Sequence, residues 1–201
     1  MAKIKLTKSE LKAQRDALKQ FTRYLPTLQL KKQQLQMEMR GCDERMRRNL
    51  EAEQELRDHL RNWVALFGTP GITEELLGAV KLEGIETDRA NIAGVDVPIF
   101  RQAKFEVKEY NLFTSDPWFD EAVEAVKGII SIKSEYKVIK EQKDLIEKEL
   151  RTTTQRVNLF EKVKIPECKE NIRTIQIYLG DQQTAAVGRS KIAKRKMEDV
   201  A

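Results

Sequence analysis

Two heptad-patterned segments, one near each end of a 201-residue chain, constrain its fold more than any other feature. From Leu11 the a and d positions read Leu11, Gln14, Leu18, Phe21, Leu25, Leu28, Lys32, Leu35, Met39, Cys42, Met46, Asn49, Glu53 and Leu56. Ten of these fourteen are apolar, and Leu60, Trp63 and Phe67 continue the register. A second segment reads Ile129, Ile132, Tyr136, Ile139, Lys143, Ile146, Leu150, Thr153, Val157 and Phe160, eight of the ten apolar. A 3.5-residue repeat lays a narrow apolar seam along a helix, which is buried only against another seam. The nearest partner is the other end of the same chain. The expected fold is mainly α: a long antiparallel two-helix coiled coil of the N- and C-terminal helices, with a small β-hairpin insert between them.

The expected boundaries are an N-terminal helix over 1–67, an insert over 68–116, a C-terminal helix over 117–180 and a basic tail over 181–201. Thr7-Lys8-Ser9-Glu10 has the form of a capping box, and Gly68-Thr69-Pro70-Gly71 is a stop signal. Pro26 removes one backbone donor inside the first helix and predicts a kink. In the middle, Val80, Leu82, Val95, Val97, Ile99, Phe105 and Val107 alternate with polar residues, the period of two or three strands. Asp88-Arg89-Ala90-Asn91 reads as the connection between the first two strands. Ser115 or Asp116 with Pro117 suits the start of the second helix, and Gly180 reads as its stop. Pro166 is expected to interrupt that helix, where the seam shifts to Cys168, Ile172, Ile175 and Leu179. Pairing Phe67 with Pro117 brings residue 42 near 142.

Charge placement matters more than the net +5. Residues 1–23 hold seven cations, including Lys3, Lys5, Lys8 and Lys12, against Glu10 and Asp16. Residues 185–201 hold Arg189, Lys191, Lys194, Arg195 and Lys196 against Glu198 and Asp199. An antiparallel pair brings both termini to one end, so one basic tip is expected. The termini lack the apolar runs of a signal peptide or membrane span, which predicts a cytoplasmic protein without direct membrane insertion. Cys42 and Cys168 are too few and isolated for a disulfide framework or zinc site. His59 stands without an acid–base pair, nucleophile or phosphate loop, so no catalysis and no cofactor are expected. The basic tail lacks the aromatic interleaving of a nucleic-acid surface, and none is expected as partner.

Three stretches resemble the D subunit of the vacuolar/archaeal-type (V-type) rotary ATPases. The first is Leu6-Thr7-Lys8-Ser9-Glu10-Leu11 followed by Leu28-Gln29-Leu30-Lys31-Lys32-Gln33-Gln34-Leu35. The second is Asn91-Ile92-Ala93-Gly94-Val95-Asp96-Val97-Pro98, similar to the family's Asn-Ile-x-Gly-Val-x-Val-Pro. The third runs from Gln155 through Arg156, Val157 and Asn158 to Ile165 and Pro166, similar to Arg-Arg-Val-Asn-Ala-Leu-Glu-x-Val-x-Ile-Pro. The resemblance implies a non-catalytic central rotor shaft that couples ATP hydrolysis or synthesis to ion translocation. It implies as partners the catalytic and non-catalytic nucleotide-binding subunits of a hexamer, the small F subunit of the stalk, and a socket subunit above the membrane ring. It places the basic termini in the hexamer. A prefoldin-like chaperone arm is the main alternative, disfavoured by the basic tips and short insert; a basic coiled-coil scaffold is another.

Overall fold

The computed structural model describes residues 4–61, 76, 78–108 and 118–198. In chain order it contains helix α1 (Lys8–Arg61), strands β1 (Val80–Ile92) and β2 (Val95–Val107), helix α2 (Phe119–Leu159), a π turn (Phe160–Lys164) and helix α3 (Ile165–Glu198). The fold is mainly α, with a two-stranded antiparallel hairpin between a long N-terminal and a long C-terminal helix. By their contacts the residues form two compact units, Met1–Lys32 with Thr152–Ala201, and Gln33–Arg151. The stop at Gly68–Gly71 and the caps at Ser115, Asp116 and Pro117 lie outside the described residues.

Thr7 caps α1 as its sequence suggests, its hydroxyl accepting from the Glu10 amide at 3.3 Å. The reciprocal arm of the box does not form. The Thr7 amide already donates to the Lys5 carbonyl at 3.0 Å, and the Glu10 carboxylate accepts from Gln14 Nε2 at 2.9 Å. Pro26 lies inside α1 without ending it. It is exposed, so the Thr22 carbonyl that it leaves without an amide can be met by water.

In the first unit α1 and the C-terminal helix are antiparallel: Phe21 stacks on Phe160 at 5.0 Å, and Gln14 lies against Asn171 at 3.4 Å. Cys168 and Ile175 are buried on this seam. In the second unit Asp43 meets Lys143 at 2.6 Å and Glu53 meets Lys133 at 3.8 Å, so ten residues up one helix are ten down the other. That register puts residue 42 opposite 144, two positions from the expected 142. Gly128 makes the closest approach possible, since a Cβ there would sit 3.2 Å from Leu56 Cδ2.

The hairpin joins this second unit by its apolar face. Val97, with Ala90, Ile92 and Val95, packs on Leu35, Cys42, Ile139 and Ile146. At its base Val80 and Phe105 pack with Phe119, Ala122, Val123 and Trp118. The outward face is tied by Lys104–Glu86 at 2.6 Å, Lys81–Glu106 at 3.9 Å and an Arg101–Asp88 pair.

Two expectations require correction. Asp88–Asn91 are not a connection but part of β1, paired with Asp96–Ile99; the turn is Ala93-Gly94. Both turn residues have positive φ, 50° and 81°, the type I′ pattern whose twist matches a hairpin. Nor does Gly180 stop the last helix, which continues to Glu198. A glycine inside a helix costs only about 1 kcal/mol relative to alanine, and the residues after it include no proline. Thr184 and Ser190 instead bond back to the Gly180 and Ala186 carbonyls.

Candidate partner-binding surface

The expected hexamer-facing residues all belong to the first unit, and the structure divides them into two groups. Lys5, Lys8 and Lys12 are exposed around the start of α1; Lys3 lies outside the described residues. Leu6 and Lys8 share a shallow groove of about 370 Å³ with Tyr178, Leu179, Gln182, Gln183 and Ala186. The start of the chain therefore meets α3 near Tyr178–Ala186. Arg189, Lys191, Lys194, Arg195 and Lys196 stand about one to three turns beyond Ala186. Every residue from 181 to 198 is exposed, and beyond Ala186 this last part of α3 has no helical partner among the described residues. Within it Lys194 pairs with Glu198 at 3.6 Å. The tip is thus a basic collar at the start of α1 and a separate basic helix.

Three further cations extend the collar. Arg15, Lys19 and Arg23 follow one another at intervals of about a turn beside Leu18 and Thr22, around a shallow depression of about 520 Å³. All three are exposed, and their i, i+4, i+8 spacing is the signal that marks them as one stripe.

The seam positions differ in burial. Leu35 and Ile146 are fully buried and Ile139 and Val157 nearly so, while Leu11, Leu18, Leu28, Ile132 and Leu150 are half-buried. The Asn49 amide nitrogen is buried and meets no hydrogen-bond partner among the described residues. Cys42 lies under Arg45, whose guanidinium is 3.3 Å from its sulfur; burial nevertheless pushes the thiol pKa up. Cys168 is raised for the same reason, and both cysteines are free.

The residues that carry the family resemblance mark places where backbone geometry is unusual. Asn91 Oδ1 accepts from the Gly94 amide at 3.0 Å and its Nδ2 donates to Asp96 at 2.6 Å, bracing the I′ turn. Pro98 pairs with Arg89. A two-residue loop closes on a hydrogen-bonded pair, so alternation puts Pro98 in a non-bonded pair with its missing N–H turned outward. Val157 is buried between exposed Arg156 and Asn158, and Ile165 and Pro166 close the π turn.

His59 lines a groove of about 400 Å³ with Leu56, Leu60, Asp120, Glu121, Glu124 and Ala125 in the second unit. Among the described residues no three His, Cys, Asp or Glu are grouped to hold a metal ion, and no helix is long and apolar enough to cross a membrane.

Known proteins agree with this chain along its length. The family model for the ATP synthase D subunit matches residues 10–195. A V-type ATP synthase D subunit from Borreliella burgdorferi is 48% identical over 98% of this chain and 96% of its own length. Proteins of the same description from Chlamydia muridarum and Chlamydia trachomatis are each 34% identical over 98% of this chain and 97% of their own length.

Proposed function

This chain belongs to the family of ATP synthase D subunits, and on that premise we propose that it is the non-catalytic central shaft of a V-type rotary ATPase or ATP synthase. It links ATP hydrolysis or synthesis in a hexamer of nucleotide-binding subunits to ion translocation through a membrane ring. Its other partners are the small F subunit of the stalk and the socket subunit above the ring, and it works at the cytoplasmic side, peripheral to the membrane.

The observation that carries this reading is the basic helix beyond Ala186, exposed to Glu198 and without a helical partner among the described residues. A lone helix of that length is marginal in water, since most helical stability comes from packing an apolar face. Its place is inside a surrounding partner. Its exposed cations, with the collar of Lys5, Lys8 and Lys12 and the stripe of Arg15, Lys19 and Arg23, suit a bearing. Dispersed charge attracts at long range without the deep local minimum that would stall rotation. The antiparallel pairing of α1 with the C-terminal helix suits a shaft that carries torque to the other subunits.

Removal of residues 185–201 tests it. In a reconstitution with the catalytic subunits, the complex built on the truncated chain should hydrolyse ATP poorly or without coupling, while the truncated chain still binds the small F subunit normally. Joint neutralisation of Lys191, Lys194, Arg195 and Lys196 should slow assembly and flatten its salt dependence. Normal coupling by the truncated chain, with tight nucleic-acid binding by the intact one, would replace the shaft by a basic scaffold.

A further inference from the structure

Coiled-coil seams advance in alternating steps of three and four residues, and α2 keeps that rhythm from Ile129 to Phe160. The seam then resumes at Ile165 and runs through Cys168, Ile172, Ile175 and Leu179, with Cys168 and Ile175 buried. The step from Phe160 to Ile165 is five residues. These same two residues close the π turn, the Ile165 amide donating to the Phe160 carbonyl. A π turn takes in one extra residue without rotating the following helix off the seam.

Its position is pinned by its neighbours. Moving the five-residue step earlier would put Asn158 and Glu161 on the seam in place of Val157 and Phe160. Moving it later would substitute Lys164 and Glu167 for Ile165 and Cys168. The Phe160 ring is held by Phe21 at 5.0 Å.

The outer side of this turn is weakly bonded. The α-helical donor for the Glu161 carbonyl is the Ile165 amide, already given to Phe160, and the π-type donor would be Pro166, which has none. Residues 161–163 are exposed, and Leu159 and Val163 are large apolar side chains left 44% and 49% exposed. A helix with a thinned ladder opens and twists there at lower free energy than elsewhere.

We propose that Phe160–Lys164 is a torsional give in the C-terminal helix: the helix takes up twist there, while the seams on either side stay packed. Its mechanical consequence rests on the shaft reading; its softness does not.

Hydrogen exchange on the full chain tests the softness. Amides of 163–169 should exchange at least tenfold faster than those of 150–158. Deleting Lys162 together with Pro166→Ala restores the three–four rhythm and both donors, and should bring the segment to its neighbours' rate. Pro166→Ala alone keeps the extra residue and returns only the π-type donor to the Glu161 carbonyl, so the segment should slow part of the way. Equal exchange of the two segments in the native chain, or a straightened variant that stays fast, overturns the proposal.

The consequence is read in the complex reconstituted with hexamer, stalk and ring subunits. There the straightened chain should assemble normally but turn over ATP at least twofold more slowly when coupled to the ring. Native coupled turnover would leave no mechanical role and overturn the proposal. Failure of the native chain itself to support the ATPase would overturn the shaft reading instead, with the exchange result still deciding whether the turn is soft.

Discussion

Lys143 extends its ammonium to within 2.6 Å of the Asp43 carboxylate, beside the buried Cys42. The hydrogen bond to Asp43 raises the Lys143 pKa above its ordinary value. Both side chains are partly exposed, so the pair belongs among those worth about 0–1 kcal/mol. A double-mutant cycle with Asp43→Asn and Lys143→Met should give a coupling in that range. The sign follows from the raised pKa: the coupling is full below the unfolded lysine value near pH 10 and is lost as pH rises through the folded value. Urea titrations at pH 8 and above pH 11 check both statements.

Packing should outweigh that ion pair. Ile146 is fully buried, and Ile146→Ala should cost about 2–5 kcal/mol. Leu150 is only half-buried, so Leu150→Ala should fall at or below the lower end of that range. Glu147 is exposed, and Glu147→Ala should shift stability by no more than about 0.5 kcal/mol. Chemical denaturation of the three variants ranks them; equal losses for Ile146 and Glu147 would contradict the seam.

The hairpin turn makes a separate prediction. Gly94 has φ 81°, so Gly94→Ala should destabilise the protein by about 1–2 kcal/mol. Ala93 has φ 50°, and Ala93→Gly relieves that conformation but removes a methyl that packs on the coil, worth about 0.8 kcal/mol. The two should nearly cancel. Thermal melts that put Ala93→Gly as low as Gly94→Ala would disprove the turn assignment.

On the outer face of the hairpin, the Lys104 ammonium, and after it the Gln102 amide, holds the Glu86 carboxyl below its usual range. A carboxyl with a depressed folded pKa stabilises above its unfolded value and loses that contribution as pH falls through the folded one. Glu86→Gln should therefore lower the protection of the hairpin at pH 7 and flatten its loss on acidification, the variant and native chains converging below about pH 4. Amide exchange of β1 and β2 across that window is the measurement.

In the free chain the last part of α3 should be the least protected helix. Amides beyond Gly180 should exchange within seconds while those near Ile175, whose side chain is buried, remain protected. Slow exchange throughout 181–198 would mean that the chain supports this helix by itself.

The coiled-coil seam and its antiparallel register were legible because burial of a narrow stripe leaves a strict periodic record. Gln14, Lys32, Asn49 and Glu53 did not obscure it, since their apolar neighbours kept the phase. The turn was less visible: Asn91 is three residues from Gly94 and braces it from within β1, whereas a turn usually advertises itself by adjacent Asn-Gly. Gly180 misled because its conformational freedom is a local property, and nothing after it requires the helix to end. The seam shift near Pro166 was readable, but its cause was not. A proline predicts a break, and only the i→i+5 bond from Ile165 to Phe160 accounts for a helix that absorbs the extra residue and goes on. The basic tip followed from chain topology, while its division into collar and lone helix depended on where α1 begins.

The two thirteen-residue strands are both edges, and their order in the chain gives this weight. A ribosome delivers β1 and β2 before the α2 residues that cover Val97 and Ile92. During that interval the ribbon's apolar face has only the α1 residues Leu35 and Cys42 to pack on, and its two backbone margins are open, the template on which neighbouring nascent chains stack into fibrils. Pro98 withholds a donor from one margin. The register breaks between Leu82 and Gly84 on one strand and between Phe100 and Gln102 on the other bend the ribbon away from flatness. Lys81, Asp88, Arg101 and Lys104 keep its outer face charged. These guards act before the protein has a partner, which makes the hairpin's ornament a safeguard of synthesis as much as of the finished molecule.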